Sequence, residues 1–151
     1  MKEIKTMEEI LNFAINAEQE AVDFYNGLAV RAKNEQMKKV FTDFAMEEMK
    51  HKSRLLGIRE SGTFRMTDEK VQDLKIADYL DNVKATPEMT YQDALIVAMK
   101  KEKNAFRLYL FLSESTEDPA MKELFLSLAQ EEAKHKLRFE VEYDEFILRE
   151  N

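Results

Sequence analysis

Apolar residues recur along the chain with helical spacing in four separate segments. In the first segment, positions three and four residues apart alternate and carry apolar side chains around one glutamate: Leu11, Ala14, Glu18, Ala21, Tyr25 and Leu28. This spacing places side chains along one face of a helix that packs against other helices. Comparable lines follow residues 34, 90 and 118, so the pattern predicts four amphipathic helices.

The second half of the chain repeats the first half at an offset of 84 residues. Without gaps, 16 of the 44 residues from 11 to 54 are identical to their counterparts. Glu18 matches Glu102, and His51 matches His135, so the only two histidines of the chain occupy equivalent positions. A match of this extent indicates that a helical hairpin has been duplicated.

Capping signals divide the chain into two hairpins within a single domain of residues 1–151. Polar residues suited to N-caps precede the predicted helices: Thr6, Asn34, Thr90 and Asp118. Pro119 then occupies the first helical position, where its missing N–H costs nothing. We predict hairpins at 6–59 and 90–150, joined by a long crossover at 60–89 that has room for a short helix.

Composition supports an all-α fold. Three Gly and two Pro are too few for a fold with many tight turns. Ala, Leu, Glu, Lys and Met dominate, and all of them favour helices. We therefore predict an antiparallel four-helix bundle built from the two hairpins.

Charge and hydropathy narrow the possible functions. The net charge is -7 with both signs interspersed, which argues against a nucleic-acid partner because phosphate binding needs a clustered basic face. No apolar run approaches the roughly 20 residues that span a membrane, and the N-terminus lacks the apolar segment of a secretory signal. We predict a cytoplasmic protein with no membrane partner. The chain has no Cys, which excludes disulfides and cysteine-ligated metal centres in these residues.

Four glutamates and two histidines are predicted to meet at one height in the bundle. The midpoint between Glu18 and Glu48, and that between Glu102 and Glu132, fall in the two predicted hairpin turns. In an antiparallel hairpin, equal distance from the turn means equal height, here roughly 20 Å from the tip. A histidine follows the second glutamate of each pair by three residues, a spacing that places both side chains on one helix face.

Ionised carboxylates in a bundle core are costly unless cations compensate them, and no Lys or Arg lies beside them on the predicted seams. Two divalent cations would supply four positive charges against four negative ones. Carboxylate and imidazole ligands suit iron, manganese or zinc. We therefore predict a two-metal site with six ligand residues: Glu18, Glu48, His51, Glu102, Glu132 and His135.

Residues beside the predicted ligands have their own expected roles. Tyr25 and Tyr109 lie two turns beyond Glu18 and its counterpart on the same faces. We expect them to donate hydrogen bonds to a ligand carboxylate on the neighbouring helix, with ordinary core packing as the alternative. Glu47 and Glu131 point about 100° away from the adjacent ligands, so we expect both to be solvated. An apolar stripe near the C-terminus is expected to close the bundle or to bury against a second subunit: Phe139, Tyr143, Phe146 and Ile147.

The combined motifs resemble the rubrerythrin branch of the ferritin-like superfamily over about residues 6 to 145. They are Glu18-x6-Tyr25, Glu48-x2-His51, Glu102-x6-Tyr109 and Glu132-x2-His135, in this order. The resemblance implies a ferritin-like bundle with a carboxylate-bridged centre of two iron ions. It further implies that Glu48 and Glu132 are bridges, that the other four ligands are terminal, and that the reduced centre delivers two electrons to hydrogen peroxide.

Two departures from that family change the expectation. Typical rubrerythrins carry a C-terminal rubredoxin domain with four cysteines, so the resemblance implies a separate electron donor here, such as a rubredoxin-like protein. Rubrerythrins also have an extra glutamate three residues after the third-helix ligand, where this chain has Ala105. The predicted site is therefore more symmetric than the family site, which puts peroxidase activity in question.

Several functions stay open at this point. The first is a non-haem di-iron oxidoreductase that acts on hydrogen peroxide or dioxygen. The others are iron binding or storage with ferroxidase activity, a dimanganese catalase-like activity, and a structural or sensory metal site. We also predict a homodimer or a higher homo-oligomer. Metal identity and particle size distinguish these functions.

Overall fold

The computed structural model describes residues 7–62 and 89–150, which form four helices. They are α1 (Met7–Arg31), α2 (Glu35–Ser61), α3 (Tyr91–Ser115) and α4 (Pro119–Glu150). Helix α1 packs along α2, and α3 packs along α4. The predicted all-α four-helix bundle of two hairpins is therefore confirmed. The predicted cap Thr6 and residues 63–88 of the predicted crossover lie outside the described residues.

Three of the predicted N-caps are present. Asn34 accepts a hydrogen bond from the backbone N–H three residues later at 2.8 Å, and Thr90 does so at 3.0 Å. The Asp118 carboxylate accepts from the backbone N–H of residue 120 at 2.9 Å. These bonds satisfy N–H groups that have no partner within the helix, and so they fix where α2, α3 and α4 begin.

Helix α2 ends slightly later than predicted. Its predicted end was near Arg59, whereas it continues to Ser61. Gly62 then adopts the left-handed conformation with φ 65°, and its N–H donates to the carbonyl of Ile58. Glycine takes this conformation without the steric cost that a Cβ atom brings, so Gly62 terminates the helix.

The apolar core consists of two clusters, each with side chains from all four helices. The α1–α2 turn cluster includes the following buried residues: Tyr25, Leu28, Phe41, Leu95, Ala98 and Phe139. The α3–α4 turn cluster includes these: Ile10, Leu11, Leu55, Leu112, Phe125 and Leu128. The start of α3 joins the cluster near the first turn, so the two hairpin turns lie at opposite ends of the bundle. A pseudo-twofold relation therefore exchanges the hairpins.

Part of the C-terminal apolar stripe packs on the bundle, and the other residues of the stripe are half-buried. Its predicted alternative, burial against a second subunit, stays a prediction. Phe139 is fully buried in the α1–α2 turn cluster. Two helical turns after Phe139, Phe146 packs against the start of α3, where its ring centroid lies 5.3 Å from that of Tyr91. Among the described residues, no helix combines the length and the apolar character that crossing a membrane requires.

Candidate metal centre

A layer of charged side chains lies between the two apolar clusters. Helices α1 and α3 each contribute one glutamate, and α2 and α4 each contribute a glutamate and a histidine: Glu18, Glu102, Glu48, His51, Glu132 and His135. None of the six is more than 3 % exposed. The structure therefore brings all six predicted ligand residues together, in a core position where charged residues rarely occur without partners.

The six side chains form two overlapping groups, in each of which the possible ligand atoms lie within 4.8 Å of one another. One group contains Glu18, Glu48, His51 and Glu132, and the other contains Glu48, Glu102, Glu132 and His135. Glu48 and Glu132 belong to both groups. Each group offers three carboxylates and one imidazole, a donor set that could hold a divalent transition-metal ion.

The Nδ1 atoms of both histidines face this layer. His51 Nδ1 lies 2.8 Å from Oε1 of Glu132, and His135 Nδ1 lies 3.0 Å from Oε1 of Glu48. The distance from His51 Nδ1 to Glu48, on its own helix, is longer at 3.8 Å. Each imidazole therefore faces the shared glutamate of the opposite hairpin.

The outer nitrogen of each histidine is hydrogen-bonded across the α2–α4 interface. His51 Nε2 pairs with Glu131, and His135 Nε2 pairs with Glu47. A carboxylate only accepts, so the proton of each bond lies on Nε2. In the neutral imidazole this leaves the Nδ1 lone pair facing the layer, which is the orientation that a metal ligand requires.

Glu47 and Glu131 are solvent-exposed, as expected, but their contacts with the histidines were not predicted. Their side chains are 51 % and 37 % exposed, yet each holds a buried histidine of the facing helix. A glutamate side chain that points away from its own seam is long enough to reach the flank of the imidazole on the facing helix. The repeated Glu47-Glu48 and Glu131-Glu132 dipeptides were the available sequence signal.

Two tyrosine hydroxyls complete the layer. Tyr25 on α1 donates a hydrogen bond to Glu102 on α3, and Tyr109 on α3 donates one to Glu18 on α1. These are the hydrogen bonds expected from the sequence. Burial, followed by the negative charge of the accepting glutamate, raises the pKa of both tyrosines well above the usual value. Both hydroxyls therefore keep their protons and remain donors.

Burial and crowding of like charges perturb the carboxylates. Burial, then the charge of Glu102, raises the pKa of Glu48 and that of Glu132 well above the usual range. Burial alone would also raise the pKa of Glu18, but interactions with Glu48 and His51 hold it below the usual value. The two shared glutamates are therefore the carboxyls that retain protons when no cation compensates the layer.

The pKa of each histidine is raised, although burial alone would lower it. Burial alone would lower the pKa of His135, but interactions with Glu102 and Glu48 raise it to about 11. The pKa of His51 is also raised, because interactions with Glu18 and Glu131 outweigh its burial. The glutamates of the layer therefore favour the protonated form of both histidines.

The buried polar atoms of the layer that make no hydrogen bond fit a pair of metal ions. Among the described residues, six buried side-chain atoms make no hydrogen bond of suitable geometry, although each histidine Nδ1 lies within 3.0 Å of a glutamate oxygen: Glu18 Oε2, Glu48 Oε1, His51 Nδ1, Glu102 Oε2, Glu132 Oε1 and His135 Nδ1. An unsatisfied buried polar atom is costly, and so it normally has an explanation. All six atoms belong to one layer, and each is an oxygen or nitrogen atom that can bind a metal ion. The residues therefore fit a pair of metal ions.

Comparison with known proteins agrees with this geometry. The family model described as rubrerythrin matches residues 9–90 and 93–151 of the chain. No curated protein and no solved structure matched the chain in the corresponding comparisons.

Proposed function

The chain belongs to the rubrerythrin family, and on that premise we propose that it is a di-iron oxidoreductase that reduces hydrogen peroxide. The observation that carries the proposal is the sharing of Glu48 and Glu132 between the two ligand groups. Because Glu48 and Glu132 belong to both groups, the six residues would hold two cations within reach of one small peroxide. Dioxygen is the second oxidant of suitable size.

The ligand assignment follows from the same grouping. We assign Glu48 and Glu132 as bridging carboxylates. Glu18 with His51, and Glu102 with His135, are assigned as the terminal ligands of the two ions. Two divalent ions would balance the four carboxylates and replace the protons that the layer otherwise binds.

Two iron ions, when bound, would together supply the two electrons that cleavage of an O–O bond requires. The stoichiometry is H2O2 + 2e⁻ + 2H⁺ → 2H2O. The protein contributes the surroundings. Tyr25 and Tyr109 orient the terminal carboxylates, Glu47 and Glu131 hold the histidines in the required tautomer, and the two apolar clusters exclude water from both ends of the layer.

The electrons must reach the layer from a donor. These 151 residues contain no cysteine, so we propose that the donor centre lies outside them, in a carrier such as a rubredoxin-like protein. The cytoplasmic location and the homo-oligomeric state stay predictions, as does the absence of a nucleic-acid or membrane partner.

Metal analysis followed by rapid mixing tests this function. Protein purified without a metal-binding tag is loaded anaerobically with Fe(II), and its metal content is measured together with that of Glu48→Ala and of the exposed control Glu145→Ala. We expect about two iron ions per chain in the wild type and in the control, and fewer in Glu48→Ala. The loaded protein should then be oxidised faster by hydrogen peroxide than by dioxygen.

Other results would redirect the assignment. Two tightly bound manganese ions with oxygen release from peroxide would favour a catalase-like activity. Many iron ions per chain in a large particle would favour storage. Failure to bind any transition metal after anaerobic loading would show that the dimetal assignment is wrong.

A further inference from the structure

A cavity of about 260 Å³ lies between α1 and α3 and reaches the charged layer. Its floor consists of the four layer carboxylates: Glu18, Glu48, Glu102 and Glu132. Neither histidine lines it, because both lie on the α2–α4 side. Helices α1 and α3 touch along a much shorter stretch than the helices within each hairpin, and alanines line the gap between them. It approaches the proposed centre from the face opposite the imidazoles.

The cavity is larger than a peroxide needs. If each metal ion and each peroxide oxygen takes the ~30 Å³ of one water molecule, two ions and one peroxide would fill less than half of the cavity. The remainder of roughly 140 Å³ is close to the size of the ~150 Å³ cavity that admits benzene in an engineered protein. There is room beside the centre for an organic group of about one aromatic ring.

Small residues at equivalent positions of the two repeats create this room. Ala21 and Ala105 each follow a layer glutamate by three residues, one helical turn along the cavity wall. Ala21 is buried and Ala105 is half-buried. A longer side chain at either position would extend into the cavity above the carboxylates. The remaining wall is largely apolar because Phe13 and Leu108 line it.

The cavity breaks the pseudo-twofold symmetry of the charged layer. Leu108 and Tyr109 line it, whereas their repeat counterparts Phe24 and Tyr25 do not. At the other end the larger Phe24 ring is covered by Lys101, whose Nζ lies 5.5 Å from the ring centroid. A symmetric pair of ligand groups therefore has one apolar recess, on the Tyr109 side.

The charge of the lining bears on which molecules suit the cavity. Without cations the four carboxylates at the floor disfavour an anion, whereas two divalent cations would cancel their charge. The rim carries one charge of each sign, Glu20 and Lys101, together with the amides of Asn16 and Asn104. A neutral molecule with a polar end and an apolar body would suit a polar floor and an apolar wall.

We propose that the cleft between α1 and α3 holds the organic group of an alkyl or aryl hydroperoxide, so that organic hydroperoxides are substrates of this centre. The inference rests on the proposed function and specifies its substrate class. The O–O bond breaks according to ROOH + 2e⁻ + 2H⁺ → ROH + H2O. The two electrons come from the external electron donor of the proposed function, and the hydroperoxide is reduced to an alcohol.

Binding of the product alcohol tests the cleft without turnover. The chain is loaded with Zn(II), which is redox-inert and accepts the same ligand types, and 2-phenyl-2-propanol is titrated by calorimetry and ligand-detected NMR. We expect saturable binding at one site per chain in the wild type and in the exposed control Ala120→Leu. Ala105→Leu and Ala21→Leu should each weaken binding roughly tenfold or more, because a leucine fills the recess. Zinc content verifies that both variants keep the centre.

Turnover gives the second measurement. In Fe(II)-loaded protein, the ratio of the rate constant with cumene hydroperoxide to that with hydrogen peroxide should fall roughly tenfold in Ala105→Leu and stay at the wild-type value in Ala120→Leu. Alcohol binding that both leucine variants leave intact would overturn the inference. Reaction with hydrogen peroxide alone would overturn it and leave the proposed function standing, whereas reaction with neither peroxide would end both. Hydroxylation of cumene with dioxygen, without hydroperoxide reduction, would show that the cleft holds a hydrocarbon and would also overturn it.

Discussion

His51 on α2 and Glu131 on α4 are joined by a hydrogen bond between the outer imidazole nitrogen and a carboxylate that is 37 % exposed. This bond connects a buried side chain of the first hairpin to a partly exposed side chain of the second. The bond between His135 and Glu47 connects a buried side chain of the second hairpin to an exposed side chain of the first. The surface of the α2–α4 interface therefore controls the orientation of both buried imidazoles.

Removing these outer carboxylates should weaken metal binding. Glu131→Ala and Glu47→Ala each free one imidazole to rotate and to change tautomer, so we expect the affinity for Zn(II) to fall roughly 10- to 100-fold. A competition titration against a chromophoric chelator measures the change. Glu145→Ala, an exposed change on the same helix as Glu131, should retain the wild-type affinity. Equal affinities in all four proteins would show that these hydrogen bonds do not orient the ligands.

The tyrosine hydroxyls should stabilise the fold as well as the site. Tyr25→Phe leaves a buried oxygen of Glu102 without its donor, so we expect the free energy of unfolding to fall by about 1–3 kcal/mol. Urea denaturation of the zinc-loaded protein measures this. In the control Tyr143→Phe the lost partner is the half-buried Gln92, at 3.1 Å, so the loss should be smaller. A loss in Tyr25→Phe no greater than in the control would contradict this role.

The metal-free protein should become less stable as the pH rises. Folding raises the pKa of Glu48 and Glu132 above the ordinary value of 4.5, and that of His135 from 6.5 to about 11. Above pH 4.5 the folded chain therefore holds more protons than the unfolded chain, and the free energy of unfolding falls with increasing pH. Glu18, whose pKa is lowered, acts in the other direction only as the pH falls below its ordinary value.

Metal should reverse this trend, since metal ions and protons compete for the same atoms. We expect the melting temperature of the metal-free chain to decrease between about pH 5 and pH 9, and the increase caused by Zn(II) to grow over the same range. Scanning calorimetry with and without zinc measures both. A melting temperature of the metal-free chain that rises with pH in this window would show that the layer does not retain protons.

The aromatic packing beside the layer should contribute strongly to stability. The ring of Phe139 is fully buried, with centroids 5.3 Å from Tyr25, 5.8 Å from Phe41 and 5.1 Å from Phe44. Phe139→Ala should lower the free energy of unfolding by about 3–5 kcal/mol, because it removes the ring and leaves a cavity. Leu148→Ala, at a position that is 76 % exposed, should change it little. Chemical denaturation compares the two variants, and similar losses in both would contradict the packing described here.

Much of the charged layer was predictable because helical geometry is regular. The position of Glu18 relative to Glu48 follows from their equal distances to the turn, and the rise per residue in a helix is constant. The spacing of His51 from Glu48 then places the imidazole in the same layer. The caps at Asn34, Thr90 and Asp118 were predictable for a similar reason, because an N-cap bond is local.

Features that depend on the distance between helices could not be predicted. The hydrogen bonds of Glu47 and Glu131 arise because these side chains are long enough to span the gap between α2 and α4. The cleft beside Ala105 arises because small side chains line the gap between α1 and α3. A helical repeat fixes the direction of a side chain about its own axis, but the separation of two axes depends on all the side chains between them. Helix α2 ends at Ser61, two residues beyond the approximate end predicted at Arg59, where Gly62 adopts a left-handed conformation that glycine permits but does not require.

The exchange of partners between the hairpins bears on how such a chain could have arisen. Tyr25 donates a hydrogen bond to Glu102, and Tyr109 donates one to Glu18. In the same way His51 faces Glu132, and His135 faces Glu48. One hairpin on its own holds three of the four residues of one group and a single residue of the other, so an unduplicated ancestor could have carried a complete centre only as a pair of identical chains. Fusion of the two copies would have kept that arrangement and released each copy to change independently. The difference between Phe24 and Leu108, which confines the cleft to one end, is a change of this kind that a pair of identical chains could not acquire.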